Sequence, residues 1–150
     1  MKKSYICPTR LGGMEGNKME LFDTHAHYND EKFKQDRDEI IKQTYEAGIT
    51  KLVCAGYNLK SSREAIDIAN KNEFIYAICG ISPNDLEDYC EENLRQLKEL
   101  AKHKKNVAIG EIGLDYHYSK ENKDKQIYRD LFDGIDYKLK VIGTDIINAF

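Results

Sequence analysis

The chain has 150 residues, of which 41% are hydrophobic and 33% charged, a balance that excludes a wholly disordered protein. Its 23 basic and 26 acidic residues give a net charge of −3, and the basic residues form no patch of the kind that marks a nucleic-acid footprint. No window approaches the roughly 18 consecutive apolar residues of a transmembrane helix, and the N-terminus lacks the apolar stretch of a secretory signal. We therefore expect a soluble, cytoplasmic protein without a membrane partner.

The cysteines fit that location. They form no Cys-x-x-Cys pair and lie inside or beside apolar runs, a pattern typical of reduced thiols. A chain of this length buries a core without disulfides or a structural metal. The four are Cys7, Cys54, Cys79 and Cys90.

The first 18 residues differ from the rest of the chain. They show little periodicity and contain one proline and three glycines, and the first convincing strand begins just after Met19. We expect residues 1–18 to be a disordered leader. The alternative is an annotated start placed upstream of a natural start at Met19.

From Leu21 onward, short apolar runs alternate with longer amphipathic runs, which is typical of consecutive βα units around a parallel sheet. The first strand is predicted at Leu21–His27. A helix follows at Glu31–Ala47 and is closed by Gly48 at a C′ position. The second strand is predicted at Lys51–Gly56.

The next two units follow the same order. Ser61 and Glu64 have the spacing of a capping box before a helix that runs through Ala69. Further elements are predicted as a strand at Phe74–Ile81, a helix at Glu92–His103, a strand at Val107–Asp115, a helix at Lys123–Leu139 and a strand at Val141–Ile147. The count is about four and a half βα units, whereas a closed (β/α)₈ barrel needs eight. A small open sheet usually carries a Gly-rich phosphate loop after its first strand, and this strand ends in two histidines instead.

The end of the first strand carries the first candidate site. Alternation along a strand is expected to place Asp23, His25 and His27 on one face. Two histidine α-carbons about 6.5–7 Å apart let both rings reach one ion at about 2.0–2.1 Å. Asp23 either joins them as a ligand or accepts a ring N–H and fixes that histidine's tautomer.

The end of the predicted fourth strand carries two carboxylates, Glu111 and Asp115, on one face. A buried carboxylate needs a cation or several hydrogen-bond donors. A divalent ion held by the histidines would serve, and so would a salt bridge to an arginine or to a lysine such as Lys51. The histidines themselves have an alternative reading as hydrogen-bonded packing groups.

Four segments together resemble the TatD-type metal-dependent deoxyribonucleases, a branch of the amidohydrolase-like TIM barrels. The similarity runs from about Met19 to about Phe132, and Gly110–Tyr116 is its most specific part. The segments are Leu21–His27, Ala47–Ile49, Ala77–Pro83 and Gly110–Tyr116.

The resemblance implies a fold, a site and an activity. The fold is a TIM-type α/β barrel, with residues 19–150 as its N-terminal half, truncated to about four to five βα units. His25 and His27 match the family's first histidine ligands and Glu111 its bridging carboxylate, with Asp23 and Asp115 as supporting residues. The implied activity is hydrolysis of phosphodiester bonds in DNA through a metal-activated water, with one or two magnesium or zinc ions.

Two departures from the family pattern qualify this expectation. Ser82 and Asn84 stand where the family commonly has histidines, and no histidine follows His117 to supply the downstream ligands. We therefore expect a shortened chain that binds at most one ion, and either a homo-oligomer covers its exposed barrel edges or its stability is poor. The alternatives are a catalytically inactive remnant or metal-binding module, and a different amidohydrolase that acts on an amide or a lactone.

Overall fold

The computed structural model describes residues 20–85 and 90–111, in which strands and helices alternate as the sequence predicts. A 3₁₀ turn at Glu31–Phe33 precedes the first α-helix. The predicted leader, the helix at 123–139 and the strand at 141–147 lie outside the described residues. The elements are β1 (Leu21–Ala26), α1 (Arg37–Glu46), β2 (Ile49–Ala55), α2 (Leu59–Lys71), β3 (Ile75–Cys79), α3 (Glu91–Ala101) and β4 (Asn106–Ile109).

The four strands form one parallel sheet in the order β1-β2-β3-β4, so each strand pairs with the next along the chain. Because all four run the same way, their carboxyl ends meet at one edge of the sheet. The register between β1 and β2 shifts between Asp23 and Ala26. Such a bulge changes the direction of the side chains around it, and His25 lies within it.

Both faces of β2 are buried, which is typical of a parallel strand. Leu52 and Cys54 pack against Ala65 and Ile66 of α2 in one cluster. The intervening Val53 belongs to a second cluster on the other face of the sheet. The sheet is therefore a rigid platform on which the loops after its strands are held. Within residues 20–85 and 90–111, no helix combines the length and the apolar character needed to cross a membrane.

The predicted helix at Glu31–Ala47 is wrong at its start. The side chain of Asp30 accepts a hydrogen bond from the Lys32 backbone N–H and closes the 3₁₀ turn, and the α-helix begins only at Arg37. The predicted end is confirmed, since Gly48 follows the C-cap with a φ of 111°.

The predicted capping box of the second helix is also wrong. Asn58 is the N-cap, and its side chain accepts from the Ser61 backbone N–H while the Ser61 hydroxyl accepts from the Asn58 N–H. The helix begins at Leu59, which is buried in the core. The sequence prediction counted the apolar positions of this helix from Ala65 and therefore missed the buried contact of Leu59.

Candidate metal centre

The two histidines lie where β1 reaches the carboxyl edge of the sheet. His25 is within the strand and His27 directly follows its last residue, Ala26. Their ring centroids are 4.8 Å apart, with an angle of 77° between the planes. The nitrogens His25 Nε2 and His27 Nε2 are 3.1 Å apart.

Glu111 reaches the same point from the other edge strand of the described sheet. Fourth-strand pairing ends at Ile109, two residues earlier than Glu111, so this residue belongs to the connection after β4 and the predicted strand is shorter than expected. The Gly110 N–H donates to the Cys79 carbonyl at 3.0 Å. The Glu111 Oε1 atom then lies 3.1 Å from His25 Nε2 and 3.2 Å from His27 Nε2.

A backbone carbonyl oxygen faces one of the two ring nitrogens of His27. His27 Nδ1 lies 3.0 Å from the Ala55 carbonyl oxygen, which can only accept a hydrogen bond. A neutral ring that binds an ion through Nε2 therefore carries its proton on Nδ1, and its Nε2 faces His25 and Glu111.

These donor atoms fit one divalent ion. Two nitrogens and one carboxylate oxygen lie 3.1–3.2 Å from one another. Ligand atoms about 2.0–2.2 Å from one ion are themselves about 2.8–3.6 Å apart in octahedral or tetrahedral geometry. Imidazole and carboxylate are ligands that suit zinc, and carboxylate oxygen suits magnesium.

Electrostatics at this point favours positive charge. The hydrogen bond to Glu111 raises the pKa of His27, against burial, which lowers it. The hydrogen bond to His27 lowers the pKa of Glu111, against burial, which raises it. Both shifts favour an imidazolium next to a carboxylate, so a proton occupies the same point that an ion would.

Of the two predicted supporting residues, Asp23 and Asp115, the structure describes only the first. Asp23 Oδ1 accepts from the backbone N–H of His25 at 3.0 Å, so it contacts the backbone of this ligand candidate rather than the predicted ring N–H. Asp115 lies outside the described residues. Glu111 faces the two histidines, where the sequence had left open a salt bridge to Lys51 or an arginine. Sequence reasoning missed Asn29, a buried neighbour of the site for which periodicity gives no signal.

The comparisons with known proteins show the family to which the chain belongs. The family model described as TatD related DNase matches residues 22–134, about three quarters of the chain. The chain belongs to the TatD-related DNase family. The similarity covers β1, β4 and all three candidate ligands.

Two curated relatives illustrate the match. An uncharacterized metal-dependent hydrolase from Bacillus subtilis (strain 168), YabD, is 41% identical over 111 residues, which are 73% of this chain and 44% of the relative. A 3′-5′ ssDNA/RNA exonuclease TatD from Erwinia billingiae is 31% identical over 109 residues, 72% of this chain and 42% of the relative. The chain thus spans less than half the length of these relatives.

Solved structures extend the likeness to the fold. The TatD homolog YjjV from Escherichia coli K12 superposes with a TM-score of 0.64 at 27% identity, over 71% of this chain and 42% of that one. A TatD family hydrolase from Entamoeba histolytica gives a TM-score of 0.67 at 26% identity, over 75% and 44%. The predicted fold class, part of a TatD-type α/β barrel, is confirmed.

Proposed function

We propose that His25, His27 and Glu111 bind one divalent ion, magnesium or zinc, and that the ion serves the hydrolysis of phosphodiester bonds in DNA. One observation carries the proposal: the three donor atoms meet within 3.2 Å of one another at the carboxyl edge of a parallel sheet. Barrel enzymes place their active sites at this edge.

The chemistry of the site follows from its charges. An ion bound there would polarise a phosphoryl oxygen and lower the pKa of a coordinated water. His27 would contribute a lone pair whose direction is fixed by Ala55, and Glu111 would contribute a negative charge. The side chains of His25, His27 and Glu111 are 49%, 32% and 31% exposed, so a polymeric substrate has access to them.

The substrate class is supported by the name of a relative and by one aromatic residue next to the candidate metal centre. The curated relative from Erwinia billingiae is named for single-stranded DNA and RNA, whose unpaired bases can stack on aromatic rings. The ring of Tyr57 lies 5.6 Å from that of His27, in an edge arrangement. We assign Tyr57 as a stacking surface for a base next to the cleaved bond.

A metal-binding module without turnover is the second candidate. It is favoured by Ser82 and Asn84, which stand where the family commonly has histidines. The third candidate, hydrolysis of an amide or a lactone, uses the same histidine pair but has no support in the relatives' names.

The deciding experiment uses the full chain, freed of metal and then titrated with zinc or magnesium. Zinc binding is measured by calorimetry, and hydrolysis is followed on single-stranded DNA labelled at its 5′ end, with and without chelator. The variants are His25→Ala and His27→Ala. His103→Ala is the matched control, because this histidine bonds Lys105 and Asn70 at the other end of the sheet.

The outcomes separate the candidates. The proposal predicts at most one ion per chain, DNA cleavage that chelator abolishes, and loss of both in the two site variants alone. Binding without cleavage of DNA, a cyclic amide or a lactone supports the module. Equal zinc binding by the wild type and both site variants refutes the site.

The same sample tests the proposed homo-oligomer. Among the described strands, β1 and β4 each have a hydrogen-bonded neighbour on one side only. An edge strand invites pairing with another chain. We expect light scattering to give a mass of at least two chains, and a monomer across the concentration range would refute the oligomer.

A further inference from the structure

Asn29 is a buried polar residue two positions after His27, with only 2% of its surface exposed. Its Nδ2 donates to the carbonyl oxygens of Ala55 and Ser61 at 2.9 and 3.0 Å. Its Oδ1 accepts from the Cys54 thiol at 3.5 Å. The amide therefore ties the loop after β1 to the end of β2 and the first turn of α2.

The Ala55 carbonyl receives two hydrogen bonds. One comes from Asn29 Nδ2 and the other from His27 Nδ1, at 2.9 and 3.0 Å. A carbonyl oxygen has two lone pairs, and this one uses both on groups that flank the candidate metal centre. The orientation of the carbonyl thus links the Asn29 amide to the His27 ring.

We propose that Asn29 is a positioning residue, which holds the Ala55 carbonyl so that His27 keeps its proton on Nδ1 and turns Nε2 toward the ion. The inference rests on the proposed metal site for its purpose, while its central measurement needs no metal. Partners of this kind orient a metal ligand and change metal affinity about 10–100-fold when lost.

A matched control lies at the opposite end of the sheet. Asn106, the first residue of β4, is also buried, and its Nδ2 donates to the carbonyls of Ala101 and Ala108 at 3.4 and 2.9 Å. Replacing either asparagine with leucine removes two bonds to backbone carbonyls from a buried amide. Only Asn29 shares its carbonyl with a histidine among the described residues.

The test compares Asn29→Leu and Asn106→Leu with the wild type. The ¹⁵N NMR shifts of the His27 ring nitrogens are recorded in the metal-free protein at a pH where the ring is neutral, and zinc affinity is measured by calorimetry. We expect a wild-type ring protonated on Nδ1, a mixture of tautomers in Asn29→Leu, and no change in Asn106→Leu. The zinc dissociation constant should rise about 10–100-fold in Asn29→Leu and less than about threefold in the control.

Three results would overturn the proposal: a wild-type ring protonated on Nε2, an unchanged tautomer in Asn29→Leu, or equal losses of affinity in both variants. If Asn29→Leu does not fold, the wild-type tautomer and Asn29→Ala carry the same test. A wild type that binds neither zinc nor magnesium refutes the proposed function, and the tautomer comparison still decides the role of Asn29.

Discussion

At both ends of the parallel sheet, side chains donate hydrogen bonds to backbone carbonyls, but the other side chains at the two ends differ. At the amino end, Lys105 Nζ donates to three backbone carbonyls at 2.8–3.1 Å, those of Asn72, Glu73 and Ile75. Close by, Asn106 bridges two more. At the carboxyl end, Asn29 bridges two carbonyls in the same manner, but the side chains beyond it are arranged differently.

The difference lies in the ratio of donors to acceptors. At the amino end, the ammonium group of Lys105 donates to three carbonyl oxygens, so its hydrogen-bond donors are satisfied within the protein. At the carboxyl end, two imidazole nitrogens and a carboxylate oxygen meet at one partly exposed point, and their lone pairs repel unless a proton or a metal ion lies between them. Several acceptors converging on one accessible point therefore distinguish a binding site from a structural network.

The largest effect should come from Glu111→Gln, which keeps the shape of the side chain and removes its charge. We expect zinc affinity to fall by at least about 100-fold, because a ligand is lost rather than one of its supporting partners. The free energy of unfolding of the metal-free protein should change by less than about 1 kcal/mol, since the side chain is 31% exposed. Calorimetry and urea denaturation measure the two, and wild-type affinity would contradict the assignment.

Gly80→Ala should affect both binding and stability. A Cβ atom at Gly80 would lie 2.5 Å from the Gly110 carbonyl carbon and 3.0 Å from the Glu111 nitrogen, so the chain that carries Glu111 must move. We expect a loss of about 1–3 kcal/mol in unfolding free energy and about tenfold in zinc affinity. In Gly110→Ala, the control, the added atom meets only Ile78 Cδ1, at 3.4 Å. Equal behaviour of the two variants would refute this account.

Lys105→Met should have the opposite effects to Glu111→Gln: it should lower the unfolding free energy and leave zinc affinity nearly unchanged. Its three hydrogen bonds to carbonyls are lost, and we expect the unfolding free energy to fall by about 1–3 kcal/mol in urea denaturation. Zinc affinity should stay within about twofold of the wild type, because the lysine lies at the far end of the sheet. A large loss of zinc affinity with an unchanged unfolding free energy would contradict the proposed difference between the amino and carboxyl ends of the sheet.

The three cysteine thiols of the described residues should react at unequal rates. Burial raises the pKa of Cys54 to about 11 and that of Cys79 to about 12, whereas Cys90 is exposed. At pH 8 iodoacetamide should label Cys90 at least about 100-fold faster than the buried pair in the native chain. Peptide mass spectrometry after timed quenching checks this. Comparable rates would mean that the core opens readily.

The alternation of strands and helices and the candidate ligands were accessible from sequence because they depend on local patterns. Apolar runs such as Val53–Ala55 predicted parallel strands, and His25 and His27 stand together in the chain. The broken helix before Arg37 was not accessible, because the cap at Asp30 competes locally with an amphipathic pattern that continues through it. The sequence made no prediction of the exposure of Cys90, which lies at the surface as the N-cap residue of α3.

By itself, the sequence determined the alternation of strands and helices, the family, and which three side chains are the candidate metal ligands. Only the tertiary structure decided that Glu111, 84 residues after His27, reaches the same point, because that depends on four strands ending at one edge. It alone also selected Asn29 and the Ala55 carbonyl, since the direction of a carbonyl follows from sheet pairing and has no signature in residue type.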